Sequence, residues 1–421
     1  MTRFTEVASL LERAGFGVVQ VEPHLPGVAE SARPDLLAWA SNREGELVPW
    51  AAVEITSRRA ETALPVLART QALTGTREHY VLSSGEWFKA DAGLRTLDRV
   101  DGPSSPPLGG SGRLVDVPLA TSLLRERLWR RMDEERGRGT SVAEVFADLV
   151  AEFYERGANA TSGGQLRLGR EVLWQAARRA LVDFSRDVRS GIYASHPVVA
   201  SAVSALAGSR LDGTVLDPFC GTGSFIWAAA ERAAHRGSNV DLIGFDISAA
   251  MVNVVEGLLV LAPVSGVVTC ADAFRTRLPE ADVVLAAPPM GLRLPFEHEL
   301  LTGSVTRDGD VAAVDLAVRA LRPGGRAVLQ VSPGFTFRAN GEQYRQFLTD
   351  RYRVAALIGC PTGSVPGAAI GSVLVVIDAT SPGRTFVAQL GEDWQTQLSE
   401  GGAGLQAALA HIDAPAVEAE G

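Results

Sequence analysis

Between Tyr193 and Asp378, short β-branched runs alternate with helix-patterned stretches, and this alternation limits the chain to few folds. The runs are Val215-Leu216, Leu242 to Phe245, Val267 to Cys270, Val283 to Ala286, Ala327 to Val331 and Val373 to Ile377. Strands separated by helices return in the same direction through right-handed crossovers, which builds a doubly wound parallel sheet. The first run is followed by Asp217-Pro218-Phe219-Cys220-Gly221-Thr222-Gly223-Ser224-Phe225. Glycines at a strand-to-helix turn let the backbone approach a ligand where a side chain would clash. The carboxyl ends of such strands form the ligand crevice of open α/β sheets.

A glycine pair alone fits a structural turn as well as a binding turn, so the neighbouring strand ends matter. The second ends in Gly244-Phe245-Asp246-Ile247, placing a carboxylate to accept from ribose hydroxyls and an apolar face beside a purine ring. The third ends in Cys270-Ala271-Asp272-Ala273-Phe274, where Asp272 can accept from an adenine amino group. Together with Gly191-Ile192-Tyr193-Ala194-Ser195-His196-Pro197-Val198-Val199, Leu321-Arg322-Pro323-Gly324-Gly325-Arg326-Ala327, and Phe337 through Ile377 with Ala356 to Gly363 inside it, these segments resemble adenine-N6 DNA methyltransferases. They are most similar to the modification subunit of type I restriction systems. The resemblance implies a Rossmann-like sheet dependent on S-adenosylmethionine (SAM). It implies cofactor contacts from Tyr193, Asp217, Phe219, Gly221, Gly223, Asp246, Ile247, Asp272 and Ala273, with DNA as substrate.

The same resemblance exposes a defect. Such enzymes hold the target amine with Asn-Pro-Pro-Phe or a close relative, whereas this chain has Ala287-Pro288-Pro289-Met290. The exocyclic nitrogen's lone pair is conjugated into the purine, and the enzyme frees it by accepting the amine's protons on a polar side chain and on the first proline's carbonyl. The base is flipped out and stacked on the closing aromatic. Ala287 supplies no acceptor and Met290 no ring face, while Pro288 keeps its carbonyl. Losing one positioned polar partner costs about 3–4 kcal/mol of transition-state stabilisation. Losing a stacking ring costs roughly 1–3 kcal/mol of base binding. A carboxylate such as Asp282 or Glu297 could stand in for the missing acceptor.

The amino-terminal part carries a second resemblance. Pro34-Asp35, a strand, Glu54-Ile55-Thr56 and a helix with Gln71 resemble the PD-(D/E)XK nuclease core, in which carboxylates hold a metal and a lysine helps activate water. Thr56 occupies the lysine position, so an active nuclease is not expected and no metal is assigned. Strands are expected over Leu36 to Trp39, Val48 to Ile55 and His79 to Leu82, and a helix over Phe4 to Ala14. The expected organisation is an α/β domain over 1–100, a linker over 101–117 rich in Gly, Pro and Ser, a helical segment over 118–190, the methyltransferase-like domain over 191–390 and a flexible acidic tail over 391–421.

Composition limits partners and location. The net charge of −9 across 421 residues argues against strong unaided gripping of nucleic acid. The 40 basic residues include a single lysine, Lys89. Arg125, Arg127, Arg130, Arg131, Arg178 and Arg179 are offset by Asp133, Glu134 and Glu135, which favours a solvated helical face. The amino terminus lacks the basic-then-apolar layout of a signal peptide, and no apolar run reaches the roughly 20 residues of a membrane span. A cytoplasmic protein is expected. Its three cysteines, Cys220, Cys270 and Cys360, read as small buried hydrophobes.

Three functions follow in order. The first is a SAM-binding, DNA-methyltransferase-like protein with weakened or lost catalysis. It would act in DNA modification, restriction or phage defence with a specificity or restriction partner, and a homo-oligomer is compatible with it. The second is an active SAM-dependent N-methyltransferase, on DNA adenine or another substrate, with a rebuilt acceptor site. The third is a scaffold without catalysis.

Overall fold

The computed structural model describes residues 3–23, 33–135, 140–159, 165–185 and 192–414, which form two compact units. The first comprises residues 1–125 and 151–176. It runs α1 (Arg3–Arg13), β1 (Val18–Val21), β2 (Leu36–Ser41), β3 (Glu46–Thr56), α2 (Leu64–Thr74), β4 (Glu78–Ser83), β5 (Glu86–Ala90), β6 (Leu97–Val100) and β7 (Arg113–Leu114), with β8 (Ala158–Asn159) and β9 (Gln165–Leu168). β1, β2 and β3 pair antiparallel, and β4 joins β3 in parallel through the α2 crossover. Continuous apolar runs on β2 and β3 explain this arrangement, β2 being buried along its whole length and β3 over Trp50 to Val53. Leu36, Ala38, Ala40, Ala51 and Val53 are fully enclosed with Leu11, Phe16 and Tyr80.

The stretch expected to be a linker over 101–117 is built into this unit. β7 pairs in parallel with both β3 and β9, Ser41 N donates to Gly109 O at 3.0 Å, and the Tyr80 hydroxyl meets Ser104 Oγ at 2.7 Å. Gly and Pro there serve close approach rather than freedom. A Cβ on Gly110 would lie 2.1 Å from Gly17 N. The segment over 118–190 is also not purely helical. It holds α3 (Val117–Glu134), α4 (Val142–Arg156) and α5 (Arg170–Ser185), with β8 and β9 between α4 and α5.

The second unit, residues 126–150 and 177–421, contains the main sheet. After α6 (Pro197–Leu206) come β10 (Gly213–Asp217), α7 (Ser224–Arg236), β11 (Val240–Asp246), α8 (Ala249–Leu259), β12 (Gly266–Cys270) and β13 (Ala281–Ala286). A hairpin of β14 (Arg293–Glu299) and β15 (Val305–Asp308) leads into α9 (Gly309–Ala320) and β16 (Leu321–Val331). α10 (Gly334–Phe337), α11 (Glu342–Arg351), β17 (Arg353–Cys360), β18 (Ser372–Asp378), β19 (Phe386–Gln389), α12 (Trp394–Leu398) and α13 (Ala403–Ile412) complete it. The spatial order is β12-β11-β10-β13-β16-β18-β17-β19. β18 alone runs antiparallel to its neighbours. Strand order reverses at β10, which opens a crevice at the carboxyl ends of β10, β11 and β13.

Val284, Ala286, Ala327, Leu329, Val375 and Ile377 are fully enclosed in one core together with Val314 and Ala317 of α9. Leu321 to Ala327, one of the segments that carry the resemblance, opens β16 with a register shift against β13, and Gly324 there adopts φ +82°.

The expected flexible tail over 391–421 is corrected up to residue 414, the last seven residues lying outside the described ones. α12 and α13 are docked helices, with Trp394, Leu398, Leu405 and Ile412 buried. Arg326, 1% exposed, fastens them. Its Nε and Nη2 donate to Asp378 at 2.6 and 3.1 Å, Nη1 donates to Asp413 at 2.9 Å and to Leu206 O at 3.2 Å, and Nη2 also donates to Ile412 O. A guanidinium can remain charged in such a place because its planar donors are saturated. The cysteine expectation holds for Cys220 and Cys360, which are buried, but Cys270 is exposed.

Candidate cofactor and acceptor site

The turn after β10 brings the sequence-nominated groups together. Gly221 and Gly223 take φ +51° and +81°, in the left-handed region where a side chain is strained. A Cβ on Gly223 would also fall 2.5 Å from the Trp227 ring, whose Nε1 donates to Thr222 O at 2.8 Å. At the end of β11, the Asp246 carboxylate accepts from Gly221 N and from Ser248 N, both at 2.8 Å. One side chain thus ties the turn to the next strand and starts α8.

The segment before α6 lies across the same turn. Thr222 Oγ1 donates to Tyr193 O and Ser195 N donates to Ser224 Oγ, each at 3.0 Å. These bonds fix the Tyr193 backbone and leave its side chain 71% exposed; Ile247, after Asp246, is 73% exposed. Gly191, which opens this segment in sequence, lies outside the described residues.

Asp217 is buried, and its Oδ1 accepts from Phe219 N at 3.0 Å. Burial, reinforced by the nearby Asp246 charge against the Phe219 hydrogen bond, pushes its pKa up to about 8. It is therefore mostly protonated at neutral pH. Asp272 Oδ1 accepts from Phe274 N at 3.0 Å and its other oxygen lies 3.6 Å from Arg275 Nε, while Ala273 is buried beneath the loop. The Phe219 and Phe274 rings meet at 5.1 Å and link the first and third loops.

These groups fit a nucleoside-bearing cofactor. A carboxylate is anchored at the end of β11 with exposed Ile247 next to it, exposed Tyr193 is held at the turn by its backbone, and a Cβ on Gly221 would meet only Tyr193 O, at 3.4 Å.

The acceptor side is built differently. β13 ends at Ala286, and Ala287 follows half-buried, then Pro288 buried, Pro289 exposed and Met290 half-buried. Leu292 N donates to Pro289 O at 3.3 Å, and Gly309 N donates to Leu292 O at 2.8 Å, which ties the motif to the start of α9.

Neither stand-in carboxylate suits the missing role. Asp282 begins β13, five residues before Ala287, or about 16 Å along an extended strand. It accepts there from Thr214 N at 2.8 Å and pairs with Arg322 at 2.5 Å, at the opposite end of the sheet. Glu297 lies on the exposed face of β14 and pairs with Arg307 at 3.5 Å.

Two acids that the sequence did not single out, Asp308 and Asp310, flank Gly309, whose N donates to Leu292 O. Asp308 caps α9, accepting from Asp310 N and Val311 N. Asp310, 1% exposed, accepts from Ser332 Oγ at 2.5 Å and Ser332 N at 3.3 Å. Asp308 thus caps α9, and Asp310 holds it against Ser332, just after β16. An Asp at a helix start after an exposed hairpin was the available signal, and the β14–β15 hairpin itself was not expected.

In the first unit, Asp35 Oδ2 accepts from Ile55 N at 2.6 Å. Burial and the Asp35 charge raise the Glu54 pKa to about 8. Thr56 Oγ1 accepts from Arg58 N at 3.0 Å, and Gln71 O accepts from Gly75 N at the end of α2.

Comparison with known proteins agrees with the second unit. Residues 194–329 match the family described as the RMKL-like methyltransferase domain. The chain is 32% identical over 163 residues to the type II methyltransferase M.MamI of Microbacterium ammoniaphilum, covering 37% of this chain and 39% of that protein. The chain thus spans well under half the length of that relative. In structure it is similar to a class I SAM-dependent methyltransferase from Listeria monocytogenes, with TM-score 0.56, 14% identity, and coverage of 70% of this chain and 99% of that one. It is also similar to a modification subunit of a type I restriction enzyme from Vibrio vulnificus, with TM-score 0.46, 19% identity, and coverage of 59% and 57%. At that score the second likeness adds nothing to the fold assignment. Family match and fold agree over the second unit: residues 194–329 are similar to the RMKL-like methyltransferase domain, and the fold is that of the class I methyltransferase from Listeria monocytogenes.

Proposed function

We propose that the chain is a SAM-binding, DNA adenine-N6 methyltransferase-like protein whose methyl transfer is weakened or lost. The carrying observation is the contrast between an assembled turn around Gly221, Asp246 and Asp272 and an acceptor motif with Ala287 and Met290. SAM, when bound, supplies an electrophilic methyl group. The residues that would hold it are Asp246 at the ribose, Ile247 and Tyr193 at the purine faces, Asp272 at the adenine amine, and the Gly221 and Gly223 backbone. Protonated Asp217 adds no negative charge beneath the turn.

On the acceptor side only the Pro288 carbonyl remains to take a proton hydrogen bond from an amine. An amine held by one acceptor instead of two keeps more of its lone pair in the purine ring. The missing partner is worth about 3–4 kcal/mol, or hundreds-fold in rate. Asp282 and Glu297, occupied elsewhere, do not restore it.

The relative's printed description as a type II methyltransferase supports placing the protein in DNA modification, restriction or phage defence. Sequence choice would come from a specificity or restriction partner or from the first unit. There, the order α1-β1-β2-β3-α2-β4 with Asp35 and Glu54 supports a nuclease-derived docking module rather than a nuclease, since Thr56 supplies no cation. No helix among the described residues is long and apolar enough to cross a membrane, and the expected site of action is the cytoplasm.

The test is transfer of labelled methyl from SAM to unmodified DNA. Wild type is expected near background, and Ala287→Asn should raise the rate on the order of a hundredfold. Robust wild-type transfer that Ala287→Asn leaves unchanged would refute lost catalysis.

A further inference from the structure

Among the described Phe, Tyr and Trp residues, Phe337 and Tyr193 are the most exposed, at 71% each. Tyr193 belongs to the cofactor side. Phe337 does not, and its backbone is held too firmly for its exposure to reflect a loose loop. Phe335, two residues earlier, is 5% exposed in the core. Arg345 Nη1 donates to Phe335 O at 3.0 Å and Arg338 O at 2.8 Å, gripping the carbonyls on both sides of Phe337. Arg338 N closes the turn onto Gly334 O at 2.9 Å. The Arg338 guanidinium lies over Gly334, where an added Cβ would fall 2.4 Å from Nε, and reaches Asp308 at 3.5 Å. Asn340 donates to the same Asp308 oxygen at 3.0 Å.

Register places this clamped ring on the acceptor side. β13 and β16 are parallel neighbours with Ala286 beside Leu329, so both strands leave the sheet at the same edge. One continues as Ala287 to Met290 and the other as Gln330 to Ser332, then α10 with Phe337. The Asp310–Ser332 hydrogen bonds and the Gly309 N to Leu292 O bond join the two exits through the start of α9. The ring absent at Met290 and the ring presented at Phe337 therefore belong to adjacent strand ends.

We infer that Phe337 is the stacking residue for a planar acceptor, supplying the π-face that Met290 lacks. The inference rests on the adenine acceptor proposed above and names the residue that would hold its ring face. Phe337 sets which acceptor is held. Ala287 sets how slowly it reacts.

The test uses the full chain with saturating SAM and a single-stranded oligonucleotide containing 2-aminopurine, so that duplex opening does not enter. Fluorescence titration of wild type should show saturable binding. Phe337→Ala should weaken it roughly tenfold, the effect of removing one stacking ring, and Phe337→Tyr should restore it. Unchanged affinity in Phe337→Ala, failure of Phe337→Tyr to restore binding, or no binding by wild type would each overturn the inference. SAM calorimetry on the same preparations reports separately on the methyltransferase reading. SAM binding is expected to be equal in all three proteins, and a wild type that does not bind SAM refutes that reading instead. Because Phe337 is exposed, all three proteins should melt at the same temperature.

Discussion

Gly223 shows how tightly one position can be constrained. Its φ of +81° and a would-be Cβ contact of 2.5 Å with Trp227 both forbid a side chain. Gly223→Ala should destabilise the second unit by about 1–3 kcal/mol through strain alone, with a matching drop in denaturant midpoint. An unchanged midpoint would show that the turn can relax. The positions of the proposed cofactor groups were legible because they are adjacent to strand ends: Asp217, Asp246 and Asp272 close β10, lie at the end of β11 and follow β12. Phe337 was less legible. Its meaning depends on β16 being the neighbour of β13, a pairing between residues more than 40 positions apart in the chain.

At the level of elements, most strands with continuous apolar runs were readable, β17 with Val354 to Ile358 being an exception, and those without such runs were not. β2, β3, β4, β10, β11, β12, β13, β16 and β18 overlap the expected runs. The β14–β15 hairpin alternates charged and apolar residues over Arg293–Glu299, and β7 has two residues. Such short or exposed pairs carry too little pattern to separate from loop. The carboxyl-terminal helices were hidden by composition, since alanine, glycine and acids read as loose chain until Arg326 is seen to reach Asp378 and Asp413. Replacing one partner of a buried pair leaves the other charge stranded, at about 3–5 kcal/mol. Arg326→Ala should therefore lower stability by that amount and expose α13 to protease. Asp413→Asn, at a partly exposed partner, should cost far less. Equal effects would contradict the burial argument.

Across the whole molecule, each unit holds a carboxylic acid that keeps its proton unusually long. Glu54 in the first unit and Asp217 in the second titrate at about 8, against ordinary values near 4 in the unfolded chain. The native state then binds more protons than the unfolded one between pH 4 and 8, so the stability from these groups is full below pH 4 and fades as pH rises through 8. Unfolding measured at pH 5 and 8 should show the loss, and Glu54→Gln should reduce it. An undiminished loss would place its source elsewhere. SAM binding with slow or absent methyl transfer, as proposed, requires a working nucleotide pocket beside a dismantled acceptor motif. Calorimetric titration of wild type and Asp246→Ala with SAM tests that pocket most directly. Saturable wild-type binding, weakened at least tenfold by the substitution while the melting transition stays cooperative, is the predicted result; binding that ignores Asp246, or none at high micromolar SAM, would contradict it.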